Sequence, residues 1–320
     1  MHRFVDIIDL TKVYPGRGWI GAAARRLTAV DRLSFAIDRN TVFGLVGESG
    51  CGKTTLVRAL LHLDPPTSGE VWFDGTRLEL LSAARLRPFR RRMQIVFQDP
   101  NSALNPKMRV ADSIAEGLVN RGLPKTERGD RIAGLLDLVG IPAAHGRRYP
   151  HEFSGGQKQR VVIARALAME PEFLALDEPV SNLDVSIQAQ IINLLIDLKV
   201  KLALTYLFIS HDLNLVAYLS DRIGVMYRGR LVEIGAAEDI LAAPGHPYTI
   251  KLFSSTPGRR PFRDRPGAFW AAGASSDRLA AAPSGCPYSP LCHRAGGDCL
   301  REFPAWREIR PGHRVACTPP

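Results

Sequence analysis

The chain has 320 residues, 45% of them hydrophobic, with 42 Lys and Arg against 32 Asp and Glu. That is enough apolar material for one large domain or two, and no run approaches the ~20 apolar residues of a membrane helix. The first residues, Met1-His2-Arg3-Phe4-Val5-Asp6, lack the apolar core of a signal peptide, so the chain is expected to stay in the cytosol; its net charge of +10 would suit nucleic acid or an anionic surface, although solubility alone explains it.

Residues 4–46 alternate apolar and polar positions and read as strands, interrupted by a Gly- and Arg-rich stretch at 15–28 that reads as an exposed loop. Tyr14, just before it, could stack on a purine ring or simply pack at a strand end. The apolar run 42–46 then meets Gly47-Glu48-Ser49-Gly50-Cys51-Gly52-Lys53-Thr54-Thr55 and a helical pattern. Strand, glycine loop and helix form the setting of a phosphate-binding loop. Glycines let backbone N–H groups turn inward around a triphosphate, Lys53 reaches the β and γ phosphates, and the Thr54 hydroxyl can ligate Mg²⁺. The glycine order is not that of a dinucleotide fingerprint, so NAD is disfavoured.

A turn at Pro65-Pro66-Thr67-Ser68-Gly69 leads into a short hairpin, and five arginines between 85 and 92 read as a solvated helix face. Residues 93–97 read as a buried strand ending at Gln98, placed to reach a metal or water, and 109–139 as two amphipathic helices of an insertion. In Phe153-Ser154-Gly155-Gly156-Gln157, Ser154 is a natural N-cap, and two glycines at a helix start either let a phosphate approach or serve capping alone. Residues 173–176 make a strand that delivers Asp177 and Glu178 to the sheet edge where the glycine loop sits. One carboxylate can hold Mg²⁺ through water and the other can polarise an attacking water. Ser181-Asn182-Leu183-Asp184 precedes a long helix over 185–202, and a strand over 204–209 brings His211 to the same edge. From 256 onward the chain changes character, with ten of its 23 Pro, four of its five Cys and ten Arg against five acids, which predicts a linker and a small separate module after about residue 255.

Taken in order, the phosphate loop, Gln98, Ser154 to Gln157, Asp177-Glu178, Ser181 to Asp184 and His211 resemble the ATP-binding subunits of ABC transporters over about residues 4–255. The resemblance implies an α/β fold: a P-loop ABC-type nucleotide-binding domain over 1–255, with a RecA-like core, an antiparallel β subdomain and a helical subdomain at about 99–168. It also implies two such domains packed head to tail, each ATP lying between the phosphate loop of one and Ser154-Gly155-Gly156 of the other. Glu178 would then be the general base, with Thr54, Gln98 and Asp177 attending Mg²⁺. His211 would sense the γ phosphate and Tyr14 would stack on adenine. Phe153 stands where the family usually has Leu, and Asn182 where it more often has Ala. Both departures leave the phosphate contacts intact.

The tail, with Gly245-His246-Pro247-Tyr248-Thr249 and then Cys286, Cys292, Cys299 and Cys317, looks like the C-terminal region of the oligopeptide and dipeptide permease subfamily, placed here at 256–320. The expected activity is ATP hydrolysis driving import of di- or oligopeptides. Relatives in that group also import nickel, opines, glutathione and oligosaccharides. The implied partners are a second, different but related ATP-binding subunit, two transmembrane permease subunits and an extracytoplasmic solute-binding protein, with this chain peripheral at the cytoplasmic face of the inner membrane. In several members the four matching cysteines hold a [4Fe–4S] cluster. Spacings of x5, x6 and x17 suit such a cluster without excluding zinc, whose structural sites more often pair their cysteines closely. Disulfides are disfavoured in a reducing cytosol, and Cys51 has no ligand role. Two other classes compete: a soluble ABC ATPase acting on DNA or ribosomes, and a phosphoryl-transfer enzyme of the kinase type. The short insertion and single cassette argue against the first, and Ser154 to Gln157 would be idle in the second. No nucleic-acid partner is expected.

Overall fold

The computed structural model describes residues 3–16, 26–254 and 284–318. The linker expected at 257–283 and most of the 15–28 loop lie outside the described residues. Strands β1 (Arg3–Tyr14) and β2 (Leu27–Asp38) pair antiparallel, β3 (Val42–Val46) starts a second sheet, and β4 (Ser68–Phe73) with β5 (Thr76–Arg77) completes the first in the order β2-β1-β4-β5. Alternation in β1 sends Val5 and Ile7 into the core while Asp6 and Ile8 stay outside it, so this small sheet is covered on one face.

The large sheet takes in β6 (Met93–Val96), β7 (Phe173–Asp177), β8 (Thr205–Ile209), β9 (Arg222–Tyr227), β10 (Arg230–Ala236), β11 (Trp306–Arg310) and β12 (His313–Ala316), ordered β11-β12-β10-β9-β3-β8-β7-β6. Its run from β9 to β6 is parallel. In β3, β7 and β8 every residue is buried, as expected for strands covered on both faces. Leu207 and Phe208 illustrate the arrangement, because neighbours in one strand enter different cores. Phe43, Leu45 and Leu207 pack with Phe4 and Ile7 of the small sheet. Val46 and Phe208 pack with Ile114, Leu136 and Val161 of the helical side.

Helix α1 (Lys53–Leu60) leaves β3, and α2 (Ala83–Arg92) feeds β6. Helices α3 (Pro100–Ala103), α4 (Val110–Arg121), α5 (Lys125–Leu138) and α6 (Gly155–Leu167) make the expected helical insertion. The remaining helices are α7 (Val185–Leu202), α8 (Leu213–Leu219), α9 (Ala237–Ala242), α10 (Pro247–Ser254) and α11 (Gly297–Arg301).

Two expectations need correction. The arginine run on α2 is not simply a solvated face: Arg92 pairs with Glu172 and Asp74, Arg90 donates to the His62 carbonyl and Arg91 to that of Asn120. The chain after residue 283 does not stand apart either. β12 pairs with β10 at Glu233–Val315 and Ile234–Arg314, and Cys286, Tyr288 and Cys299 belong to the same buried cluster as Val46. Left alone, β10 would offer a row of unpaired N–H and C=O groups; the tail satisfies part of that edge.

Candidate nucleotide site

The parallel strands converge on one edge, and the chemistry collects there. Gly52 sits at φ +108°, a left-handed backbone that side chains rarely adopt, and a Cβ on it would lie 2.1 Å from the Ala29 carbonyl oxygen. Lys53, buried at the start of α1, curls back so that Nζ donates to Gly47 O at 2.7 Å and Glu48 O at 3.0 Å. Glu48, Ser49 and Gly50 are exposed, as a loop waiting for phosphate must be. Cys51 lies buried beneath them, and its thiol is pushed up by that burial.

Asp177 ends β7, buried, with the Thr54 hydroxyl close enough to act on its carboxyl. Burial pushes its carboxyl up; the Thr54 hydroxyl counters this, Glu178 adds to the rise and Lys53 pulls it back. The hydroxyl and the carboxylate are hard oxygen donors side by side, a fit to Mg²⁺ with part of its water shell retained. Glu178 has φ +49°, a conformation a glutamate holds only when its surroundings enforce it. Its N–H donates to Ile209 O at 3.0 Å, tying it to the end of β8. Two groups meet its Oε2: Gln98 Nε2 at 3.2 Å and His211 Nδ1 at 3.0 Å. Gln98 also donates to Ser181 Oγ at 3.2 Å, so the loop after Glu178 is tied to the same knot.

Tyr14 is beside this site. Its hydroxyl donates to Asp64 Oδ2 at 2.6 Å, with Thr55 of α1 close by. The segment Ser154 to Gln157 is not gathered with these residues. Ser154 caps α6 and exchanges hydrogen bonds with Gln157, the Ser154 N–H reaching Oε1 at 3.0 Å. Gly155 lies exposed against Leu183, whereas Gly156 is buried, and a Cβ there would come within 2.4 Å of Ile187 Cγ2. The second glycine is therefore required by the packing of α6 on α7, a role the sequence reading missed.

The tail cysteines are neighbours. Cys286 N–H donates to Cys299 O at 2.8 Å, and burial pushes the Cys317 thiol up to about 11, with Cys292, Cys286 and Cys299 adding to the rise. Among the described residues, however, no three His, Cys, Asp or Glu side chains are gathered as a metal-binding group. One contact joins the tail region to the loop and was also missed: the Tyr248 hydroxyl accepts the Glu48 N–H at 3.0 Å.

A phosphate loop backed by a buried Asp177, with Glu178 held by a glutamine and a histidine, defines an ABC-type ATPase subunit. The ABC transporter family matches residues 30–181, and the oligopeptide/dipeptide transporter C-terminal region matches residues 232–299. Over 293 residues the chain is 49% identical to the oligopeptide transport ATP-binding protein OppF of Bacillus subtilis, covering 91% of this chain and 90% of that one. Among solved structures, cbiO1 from Clostridium perfringens, part of an ABC transporter complex, superposes with a TM-score of 0.65 at 29% identity over 76% of this chain and 92% of that one. A dimeric ATP-binding cassette bound to ADP and phosphate superposes with a TM-score of 0.64 at 27% identity, over 73% and 98%. The chain belongs to the ATP-binding subunits of ABC transporters, in the branch that carries the oligopeptide/dipeptide transporter C-terminal region.

Proposed function

We propose that this chain hydrolyses ATP to drive import of di- or oligopeptides. The observation that carries the reading is a likeness to a named oligopeptide transport ATP-binding protein that runs through cassette and tail alike, over 91% of the chain. In this reading the loop N–H groups and Lys53 hold the ATP phosphates, and Thr54, Asp177 and Gln98 hold Mg²⁺. Bound there, the ion would neutralise charge on the transferring phosphoryl group. Glu178 accepts a proton from the attacking water, and His211, already on the same carboxylate oxygen, reports the γ phosphate to it.

The exposed Ser154, Gly155, Gln157 and Asn182, with Val185 82% exposed beside them, suit burial against a second ATP-binding subunit. A cleft of about 1150 Å³ between α2 and the helical insertion, lined by Arg87, Arg91, Glu116 and Arg165, suits a segment of a transmembrane permease. A solute-binding protein would deliver cargo from outside, with this chain peripheral on the cytoplasmic face of the inner membrane. Four thiols at x5, x6 and x17 spacing, Cys286, Cys292, Cys299 and Cys317, are the soft donors a [4Fe–4S] cluster takes, and the reading rests on that spacing, because as placed they form no metal-binding group. Iron, sulfide and visible absorbance in anaerobically purified protein are expected, and a colourless protein with stoichiometric zinc would refute the cluster.

The function is tested in the assembled transporter. ATP turnover should rise with peptide-loaded binding protein. Stimulation only by a nickel-, opine-, glutathione- or oligosaccharide-loaded protein would replace the cargo, and stimulation by DNA or ribosomes would overturn the reading.

A further inference from the structure

We infer that Tyr248 is a positioning residue of the nucleotide site, its hydroxyl fixing the peptide that opens the phosphate loop; the inference rests on the nucleotide-site reading above. The Gly47–Glu48 peptide is held at both ends. Its N–H donates to the Tyr248 hydroxyl at 3.0 Å, and its carbonyl accepts Lys53 Nζ at 2.7 Å. Rotation of this one peptide would release both. Gly47 has little room to shift, since a Cβ on it would lie 2.2 Å from Met226 O on β9. The backbone is therefore seated on β9 and its tilt is set by a side chain 200 residues away in sequence.

That side chain is itself fixed from three directions. Tyr248 is fully buried, and its ring sits 4.4 Å from that of Tyr227 on β9 and 5.5 Å from that of Tyr288 in the tail. Its own N–H donates to His246 Nδ1 at 3.1 Å. The Tyr248 hydroxyl thus has almost no freedom to follow the loop, and the loop must come to it. A buried tyrosine needs a partner for its hydroxyl, and any nearby group would serve that need. Here the partner is a loop amide whose peptide also carries the contact of Lys53.

A loop tilted correctly before ATP arrives loses less freedom on binding. Removing the tether should therefore weaken nucleotide binding and leave the chemistry of the bound complex alone. Tyr248→Phe in the full-length chain is expected to raise the Kd for MgADP roughly three- to tenfold, the size of one net hydrogen bond. In the assembled transporter it should raise the KM for ATP alike, with kcat changed less than about twofold. Tyr288→Phe keeps the neighbouring ring and removes a hydroxyl not bonded to the loop, so its Kd should match the parent. The inference fails if Tyr248→Phe leaves Kd unchanged, if Tyr288→Phe shares the loss equally, or if kcat falls while KM stays put. Lys53→Ala run alongside separates the two levels: an unchanged Kd there would remove the nucleotide site itself.

Discussion

Two of the places where a histidine meets a glutamate among the described residues have very different surroundings. At the nucleotide edge His211 Nδ1 lies 3.0 Å from Glu178 Oε2, with the histidine side chain 54% exposed. Beneath the tail strands His313 Nε2 lies 2.7 Å from Glu233 Oε1, with both side chains at 0%. Glu233 is also occupied by the N–H groups of Gly245 at 2.7 Å and His246 at 2.9 Å, so its oxygens are spent on holding the chain together. Glu178 is met by Gln98 and His211 at an open loop, where a water or a phosphate can take their place. Distance alone does not separate the open carboxylate from the one locked in the core. Exposure and the number of backbone donors do.

The comparison is broken most directly by changing each glutamate. Glu178→Gln should lower ATP turnover by about 10²- to 10⁴-fold while nucleotide still binds, because the binding groups survive and the proton acceptor is gone. Parent-like turnover would end its assignment as base. Glu233→Ala should leave three buried or half-buried N–H donors without an acceptor and cost about 3 kcal/mol of folding stability, read from urea unfolding. Should Glu233→Ala prove as stable as the parent, the carboxylate is not the tie the geometry describes.

Acid sharpens the same contrast. His246 is almost wholly buried, and burial lowers its pKa from the 6.5 of a free imidazole to about 4, Glu233 opposing the shift only in part. Its neutral form is also what the hydrogen bonds need, since Nδ1 accepts the Tyr248 N–H. The folded pKa lies below the unfolded one, so the stabilisation is fully present above pH 6.5 and is lost as pH falls toward 4. The slope in that window is about 1.4 kcal/mol per pH unit at most. His246→Asn, which keeps an acceptor near the Nδ1 position, should flatten the change in unfolding free energy between neutral and mildly acid buffer. An unaltered slope would mean that other groups carry it.

The nucleotide edge was legible in the sequence because its signals are local. A fully apolar β3 followed at once by Gly47 to Thr55 leaves few alternatives, and the runs ending at Asp177 and His211 place their polar residues at the same sheet edge by strand geometry alone. The helical insertion was legible from its spacing. What was hidden depends on partners far away in sequence. The alternating residues of β12 give no hint that they pair with β10, about eighty positions earlier, and so the tail read as a module of its own. Arg92 reads as one charge in a run until Glu172 and Asp74 are brought to it. That Gly156 also makes room for Ile187 of α7 is likewise hidden until the two helices are packed together.

Tyr14 lies between the two kinds of residue, and a small effect should decide where it belongs. Its hydroxyl is tied to Asp64, which also receives Lys12 Nζ at 2.5 Å, so the lower side of the ring is anchored as in a packed core. The residue is only half-buried and stands next to Thr55, which leaves ring surface for a base to stack on. Loss of such stacking is worth about 0.5–1.5 kcal/mol, so Tyr14→Ala should weaken ATP binding roughly two- to tenfold, and Tyr14→Phe should change it less than twofold because the ring remains. Calorimetric titration with ATP against its triphosphate lacking the base tells the cases apart. If Tyr14→Ala weakens both ligands equally, or lowers stability without touching affinity, the ring is packing and the adenine is held elsewhere.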